Sequence, residues 1–161
     1  MHGLMDLPGN KLELGRACTA QGFRSGIAIA LLWKGIGRYL SETKSQFLFG
    51  CGSVKTVDPV TIARLTKYLK LKNYMQVMPD VHPTPKFEVK DLHSLMRQEI
   101  LAEIDDPIAN LVPSLLSSYF KAGAKVVSMP AIDRAFKCID YLTVLDTAQI
   151  TDAYEKRYKP C

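Results

Sequence analysis

The stretch that decides the fold runs from Lys11 to Cys51 and reads KLELGRACTAQGFRSGIAIALLWKGIGRYLSETKSQFLFGC. Apolar and polar residues alternate from Leu12 to Cys18, a pattern typical of a short strand. A polar turn follows, and Ile27 to Ser41 has apolar residues at helical spacing. Gln46 to Cys51 is a second, mostly apolar strand. A strand, a helix and a strand of these lengths predict a right-handed crossover between two parallel strands.

This unit predicts an anion site at the start of its helix. Free backbone N–H groups there, together with an arginine in the preceding turn, attract an oxyanion between the two strand ends. Arg24 lies in that turn and Arg16 lies near the end of the first strand. A guanidinium can hold phosphate or carboxylate through two parallel hydrogen bonds, so both are candidates. The alternative for Arg24 is a solvated turn residue.

Length and composition indicate an ordinary globular protein. The 161 residues, 47% of them hydrophobic and 23% charged, predict a single α/β domain over residues 1–161. There is no run of eighteen apolar residues, and the first ten residues lack the pattern of a signal peptide. We therefore expect a cytoplasmic protein.

The net charge limits the kinds of partner that are expected, and the cysteine spacing limits the kinds of metal site. The formal net charge of +5 favours an acidic partner, but the basic residues are scattered singly, which argues against nucleic acid. The four cysteines form no C-x-x-C pair and the three histidines are not spaced with them as ligands, so no metal site is expected. Cys51 is expected to be a packed core thiol, with a nucleophile as the alternative.

The rest of the chain is predicted to contain further helices and strands, with a loop before the first strand. Asp58-Pro59 predicts a helix start, and that helix should run to about Lys70. The remaining predicted elements are helices over Asp91–Ile104 and Pro113–Lys121, and strands over Tyr74–Met78, Ala124–Met129 and Cys138–Leu145.

Several short motifs follow one another along the chain in a characteristic order. They are Glu13-Leu14-Gly15-Arg16-x-Cys18, Phe23-Arg24-x-Gly26, Leu32-Trp33-x-Gly35-Ile36, Phe49-Gly50-Cys51-x-Ser53, and then Pro113, Tyr119, Gly123-Ala124-Lys125-Val126, Pro130, Asp133 and Asp140-Tyr141-Leu142. Together they resemble the GNAT-fold N-acyltransferases, in particular the hemolysin-like branch of ornithine lipid synthases and long-chain N-acyl amino acid synthases.

The resemblance implies a partial GNAT-type mixed sheet flanked by helices. The family's usual N-terminal half, about three strands and two helices, has no counterpart before Glu13. An open strand edge promotes association. The resemblance therefore implies either that the chain is a fragment, or that a partner polypeptide or a second copy of the chain completes the sheet.

The implied activity is transfer of a fatty acyl group to the amine of an amino acid such as ornithine, in lipid biosynthesis. The acyl thioester of acyl carrier protein, or of coenzyme A, is the co-substrate, and no tightly bound cofactor is expected. An amphipathic product suggests peripheral contact with the inner face of the cell membrane. The alternatives are a short-chain acetyl-CoA-dependent N-acetyltransferase and a truncated, non-catalytic binding module.

The resemblance also suggests catalytic residues. Glu13 is the candidate base, because partial burial would raise its pKa; the alternatives are an ion pair with Arg16 and an exposed edge residue. Ser53 and Tyr141 are candidate acids for the departing thiolate, or else structural residues. Asp133 and Asp140 are candidates for binding the acceptor's ammonium, with turn capping as the alternative.

The donor is expected to contact the turn and the end of the first strand. Backbone N–H groups of Ala17 and Cys18 are candidates for stabilising the thioester oxyanion if the two strands splay apart. Arg24 and Gly26 belong to a turn that partly fits the family's pattern for binding the donor's pantetheine arm and phosphates. Trp33, with its helical neighbours Leu32 and Ile36, is expected in the core, or else along an acyl tunnel.

Overall fold

A computed structural model describes residues 2–16, 20–23, 25–98 and 106–151. The helices are α1 His2–Met5, α2 Gly26–Thr43, α3 Pro59–Leu71, α4 Leu92–Gln98, α5 Asp106–Ala109 and α6 Ser114–Ala122. The strands are β1 Asn10–Glu13, β2 Ser45–Val54, β3 Lys125–Val126, β4 Ala131–Asp133 and β5 Cys138–Asp146. Single 3-10 turns occupy Gln21–Phe23, Pro85–Phe87 and Thr147–Gln149.

The strands form one mixed sheet in the order β1-β2-β5-β3, with β4 also paired to β5. β1 and β2 are parallel, with Glu13 opposite Phe49. β5 is antiparallel to β2, β3 and β4. The predicted parallel pair and the predicted mixed sheet flanked by helices are confirmed.

The helix of the crossover has clear ends. Ser25 caps α2, and its Oγ accepts a hydrogen bond from the Ala28 N–H at 3.4 Å. Lys44 closes the helix in the left-handed region at φ 52°. Trp33 and Leu40 are buried as predicted, but Leu32 is 53% exposed, so its placement in the core was wrong. Leu32 lies about 100° around the helix from Trp33 and therefore leaves the inward face.

Both faces of β2 are covered, because successive side chains alternate across the sheet. Leu48 packs with Trp33 and Leu40 on the α2 side. Phe49 packs on the opposite side with Leu4 of α1, which is completely buried. The N-terminal segment, predicted to be a loop, therefore contains a short helix that covers this face of the sheet.

A third apolar cluster joins α3 and α6 to the sheet. It includes Ile62 and Leu65 of α3, Leu116 of α6, and Val54 and Tyr141 of the strands. Asp58 caps α3, as predicted, by accepting the Thr61 N–H at 2.8 Å. This cluster holds α6 against the far end of β2.

Other boundaries differ from the predictions. β1 ends at Glu13 instead of Cys18, and the predicted strand over Tyr74–Met78 is an isolated bridge at Met75. Only Leu92–Gln98 of the predicted helix over Asp91–Ile104 lies in a described helix. No helix among the described residues combines the length and the apolarity needed to cross a membrane.

Candidate functional site

A cleft opens where the two parallel strands stop pairing. The Leu14 N–H donates to the Phe49 carbonyl at 2.7 Å, and this is the last hydrogen bond of the β1–β2 ladder within the described residues. β2 nevertheless continues to Val54 along β5. Between the two strands lies an open cleft of about 470 Å³. The cleft lies at the strand ends, but no described residue of α2 lines it, so the anion site predicted at the start of that helix stays a prediction.

Backbone groups of β2 point into this cleft. The Phe49 carbonyl faces β1, and peptide groups alternate sides along a strand, so Cys51 and Ser53 direct their N–H and C=O the same way. The opposite strand agrees, because Leu142 pairs with Cys51 while its own carbonyl accepts from the Val127 N–H on the far side. The cleft therefore contains hydrogen-bonding groups of β2 that β5 does not use.

Two glycines allow the chain to pass closely around the cleft. A β-carbon at Gly50 would lie 2.5 Å from the Leu14 carbonyl oxygen, so β1 approaches β2 at a distance that only glycine permits. A β-carbon at Gly52 would lie 2.7 Å from the Leu116 side chain, so this glycine admits α6. Arg16, beyond the end of β1, takes the left-handed region at φ 55°, a conformation that costs free energy outside glycine and often occurs at functional sites.

The sheet supplies a polar wall. Glu13, Arg16, Ser53 and Asp140 all line the cleft, so the structure brings together four of the residues singled out in the sequence. Glu13 is exposed, so the partial burial expected for it was wrong, and its carboxylate lies above Gly15. No ion pair joins the described side chains of Glu13 and Arg16, which leaves the carboxylate open to a ligand.

Ser53 and Asp140 form a fixed pair across the strands. They are partners in the β2–β5 register, and the Ser53 hydroxyl donates to Asp140 Oδ1 at 2.5 Å. A hydroxyl that donates to a carboxylate is already engaged, so Ser53 orients Asp140 and is poorly placed to protonate a thiolate. The ammonium-binding prediction for Asp140 stays a prediction, now with the carboxylate located in the cleft.

Helix α6 supplies an apolar wall. Pro113, Leu115 and Tyr119 line the cleft opposite the carboxylates. Tyr119 is half-buried, its ring meets Trp33 edge-on at 5.8 Å between centroids, and desolvation raises the pKa of its hydroxyl. The sequence predicted that Tyr119 lies on the buried face of its helix, but it did not predict that this residue also lines the cleft. The apolar spacing of α6 gave no signal for this, because it does not say which strand the helix crosses.

Cys51 lies between the two carboxylates. Desolvation raises the pKa of its thiol, and the charges of Asp140 and Glu13 raise it further. The residue is exposed in the cleft, so the prediction of a packed core thiol was wrong. Its raised pKa keeps the sulfur protonated near neutral pH and disfavours a nucleophilic role.

Tyr141 does not reach the cleft. It is completely buried on the α3 side, and its hydroxyl shares a 2.8 Å hydrogen bond with Thr66 Oγ1. Burial raises the pKa of this phenol far above its ordinary value. The prediction of Tyr141 as an acid is therefore wrong, because residues alternate faces along a strand and this one points to the opposite side from Asp140.

Other predicted residues are placed elsewhere or not described. Asp133 Oδ1 accepts from the N–H groups of Ala135 at 2.9 Å and Phe136 at 3.0 Å, so it caps a turn, and it does not line the cleft. Gly26 is the exposed first residue of α2. Ala17, Cys18 and Arg24 lie outside the described residues, so their predicted contacts with the donor stay predictions.

The inner face of the crossover leaves little space. Trp33 and Tyr119 border an apolar cavity of about 20 Å³. This volume holds about one water molecule, so this cavity is too small for an acyl chain. Nor do the described residues contain a group of three or more His, Cys, Asp or Glu side chains that could hold a metal ion.

The mixed sheet and its cleft are compatible with a partial GNAT-type N-acyltransferase domain, and comparison with known proteins gives the particular branch. The chain is 29% identical over 152 residues to an L-ornithine N(alpha)-acyltransferase of Rhizobium meliloti (strain 1021). It is also 29% identical over 149 residues to the protein of the same name from Brucella abortus (strain 2308), and 26% identical over 149 residues to that of Rhodobacter capsulatus. The resemblance to the ornithine lipid synthase branch is therefore confirmed.

The match covers most of this chain but only about half of each relative. It covers 94%, 91% and 91% of this chain but only 50%, 51% and 54% of the respective relatives. The chain therefore spans about half the length of the curated relatives it matches. No protein-family model matches the chain. No solved structure matches it either.

Proposed function

We propose that this chain forms the part of an N-acyltransferase that holds the acyl thioester and the acceptor amine. The acyl group moves from a thioester of acyl carrier protein, or of coenzyme A, to the amine of an amino acid such as ornithine. Relatives named L-ornithine N(alpha)-acyltransferase match nine-tenths of the chain and support this class of reaction.

The observation that carries the proposal is the two-sided cleft. Carboxylates of Glu13 and Asp140 stand on its sheet wall, and Leu115 and Tyr119 on its helix wall. A fatty acyl thioester combines an apolar tail with a polar carbonyl, and a free amino acid is charged. One apolar and one charged wall suit the meeting of these two reactants.

The chemistry requires a base. The amine arrives as an ammonium and loses two protons in total, while its nitrogen bonds to the thioester carbonyl carbon and the carbon–sulfur bond breaks. One proton ends on the departing thiolate and the other in water. Glu13 takes the proton that frees the amine for attack, and backbone N–H groups at the end of β1 or on β2 stabilise the oxyanion. No covalent enzyme intermediate is needed.

The charges of the cleft favour a diamino acid as acceptor. Ornithine carries one carboxylate and two ammonium groups. Arg16 pairs with the carboxylate, Asp140 with the side-chain ammonium, and Glu13 with the ammonium that reacts. Glu13 is paired with Phe49 and Asp140 with Ser53 in the strand register, so the two carboxylates lie on either side of Cys51 and can meet two separate cations. A neutral amino acid would leave the Asp140 carboxylate without an ammonium partner.

The direct test measures thiol release from a long-chain acyl thioester of acyl carrier protein with ornithine present. Glu13→Gln keeps the size of the side chain and removes the base, so amine-dependent release should fall about 10²- to 10⁴-fold. Glu88→Gln, at an exposed glutamate outside the cleft, is the matched control and should keep full activity. Release that is unchanged in Glu13→Gln would refute the base.

The same assay separates the alternatives. A short-chain acetyltransferase would prefer acetyl-CoA to the long-chain donor. A non-catalytic module would release no thiol with any donor or amine. Either result would overturn the proposal.

The acceptor assignment has its own test. Asp140→Asn should raise KM for ornithine about tenfold or more and leave KM for norvaline, which lacks the second ammonium, within about twofold. Equal effects on both acceptors would show that Asp140 does not bind the side-chain ammonium.

A further inference from the structure

The turn between β4 and β5 carries the most exposed of the large apolar side chains that the structure describes. Phe136 is 80% exposed and lies in this turn, which occupies residues 134–137. Asp133 Oδ1 accepts the N–H groups of Ala135 and Phe136, and Lys137 ends the turn in the left-handed region at φ 53°. The turn is therefore held by its own hydrogen bonds while its aromatic ring projects outward.

Cations surround this ring. Arg134 and Lys137 belong to the turn, and both are exposed. Lys55 is exposed too, and it follows Val54, which pairs with Ile139 of β5, so it leaves β2 beside the same turn. Among the described residues, no ion pair joins any of these three cations to a carboxylate. Their charges are therefore available to an anionic partner.

The 3-10 turn before Glu88 adds a further cation and a second ring at this end of the sheet. Glu88 forms an antiparallel bridge with Ala131 of β4, so the residues before Glu88 run towards the β4–β5 turn. Lys86 and Phe87 are both exposed. The Lys86 ammonium lies 5.5 Å from the centre of the Phe87 ring.

These four cations and two rings form one basic and aromatic surface. We call it the β4–β5 tip, and its residues are Lys55, Lys86, Phe87, Arg134, Phe136 and Lys137. The carboxylates of Glu88 and Asp133 adjoin it, and that of Asp133 is turned onto two backbone N–H groups. The tip therefore keeps an excess of positive charge.

A projecting ring between cations suits an anionic lipid surface better than another protein. Lysine and arginine are attracted to anionic headgroups, and an aromatic ring is favourable at the boundary between headgroups and acyl chains. A standard protein interface buries about 800 Å² on each partner, which requires a broad complementary face. A single projecting turn offers a narrow contact that can instead enter between lipids.

The β4–β5 tip stands next to the cleft. Asp140 lines the cleft and is the third residue of β5. It therefore lies about 7 Å along the strand from the residue at which the turn ends. Any surface that binds the tip is brought close to the cleft.

We propose that the β4–β5 tip docks this chain on an anionic lipid bilayer, with the Phe136 ring inserted at the headgroup boundary and the four cations on lipid phosphates. The cleft then opens beside the bilayer surface. The consequence for catalysis rests on the proposed function: an acylated amino acid that leaves the cleft would pass directly into the lipid.

Vesicle flotation tests the docking directly. The chain is mixed at low ionic strength with vesicles of phosphatidylcholine alone, or of equal parts phosphatidylcholine and phosphatidylglycerol. We expect binding to the anionic vesicles to be about tenfold tighter or more, and added salt should weaken it because it screens the cations.

Replacement of the ring has a matched control. Phe136→Ser should weaken binding to the anionic vesicles about tenfold or more, because the inserted apolar area is lost. Tyr39→Ser removes another exposed ring, near the C-terminal end of α2, and should keep the binding. Both side chains are exposed, so the fold should survive, and circular dichroism checks this.

Replacement of the charges has its own control. The double variant Arg134→Glu, Lys137→Glu should remove the preference for anionic vesicles. The double variant Lys34→Glu, Lys70→Glu makes the same change in net charge at exposed positions of α2 and α3, and it should keep most of the preference. The comparison separates the tip from the net charge of the chain.

Phe136→Trp reports whether the ring leaves water. The chain has a single tryptophan, Trp33, which is buried and supplies a constant background. On anionic vesicles the emission of the variant should shift to shorter wavelength, and lipids with brominated acyl chains should quench it.

Equal binding of the chain to both kinds of vesicle would overturn the proposal. So would equal losses in the tip variants and their controls, or an unshifted emission from Phe136→Trp. Binding of acyl carrier protein that the tip variants lose, without binding to vesicles, would assign the surface to an acidic protein instead. Vesicle binding is measured without turnover, so failure of the proposed reaction would leave these results unchanged.

Discussion

At the scale of single residues, the surroundings of a group decide its role more than its chemical type. Ser53 and Tyr141 both carry hydroxyl groups near the same end of the sheet. The Ser53 hydroxyl reaches Asp140 in the cleft, and the Tyr141 hydroxyl reaches Thr66 in the core. Ser53 lies opposite Asp140 in the register and shares its face of the sheet. Tyr141 is the next residue of β5 and therefore points to the other face.

Tyr141→Phe tests the structural role of the buried phenol. Thr66 Oγ1 donates to the Ile62 carbonyl at 2.7 Å, so the phenol is the donor to Thr66, and its loss should cost about 0.5–1.5 kcal/mol of unfolding free energy. Urea denaturation measures this, with the exposed Tyr39→Phe as the control that should change nothing. Thiol release at a temperature where both variants are folded should be unaffected. A large loss of turnover by Tyr141→Phe alone would restore the phenol to the mechanism.

The Cys51 thiol gives a pH-dependent prediction. Its pKa is raised first by desolvation and then by Asp140 and Glu13, so alkylation by iodoacetamide should lag behind a free thiol and accelerate only at higher pH. Asp140→Asn removes a negative charge, stabilises the thiolate, and should shift the pH profile of alkylation downward. Peptide mass spectrometry follows this site separately from the other cysteines.

The control for this shift is Asp133→Asn. Asp133 acts on Cys138 and is not among the groups that raise the pKa of Cys51. Its replacement should therefore leave the Cys51 profile unchanged. An equal shift in both variants would mean that the effect is general and not local to the cleft.

At the scale of elements, the close approach of β1 to β2 depends on Gly50. A β-carbon there would meet the Leu14 carbonyl, a backbone atom that cannot rotate away. Gly50→Ala should therefore cost about 1–3 kcal/mol of unfolding free energy. Gly35→Ala is the matched contrast, because nothing lies within 4 Å of a β-carbon there, and in mid-helix it should stabilise by about 0.5–1 kcal/mol. Chemical denaturation of the two variants should move in opposite directions.

The elements that were predictable from the sequence are those whose apolar residues recur at a regular spacing. The helix of the crossover and its parallel strands follow from the spacing between Leu12 and Cys51, and the Asp58-Pro59 cap located the next helix. The end of β1 was not predictable, since alternation continues to Cys18 although the ladder stops at Leu14. The three-residue strand β4 is too short to show a recognisable alternation of apolar and polar residues.

The site was predictable only in part. The sequence pointed to Glu13, Arg16, Ser53 and Asp140, and the fold brings these together. It misplaced Tyr141, because the face of a strand depends on register with its neighbours, and it missed the exposure of Cys51. The exposed position of Leu32 could not be inferred either, since an apolar helix face reads the same whether this chain or another segment covers it.

At the scale of the whole molecule, charge bears on the identity of the donor. The chain carries a formal net charge of +5, which should attract an acidic carrier protein. If acyl carrier protein delivers the acyl group, KM for it should rise about tenfold or more as ionic strength increases from about 0.01 M to 0.15 M. The same acyl chain on uncharged pantetheine is the control and should show no such dependence. Parallel behaviour of the two donors would argue against recognition of the carrier's charge.

The thiol between Glu13 and Asp140 also makes the cleft addressable by covalent labelling. An environment-sensitive fluorophore attached to Cys51 would stand between the two carboxylates, beside the apolar wall of α6. Its emission would report the arrival of an acyl chain or an amino acid in the cleft. Occupancy of the cleft could then be titrated in real time, before any turnover has been detected.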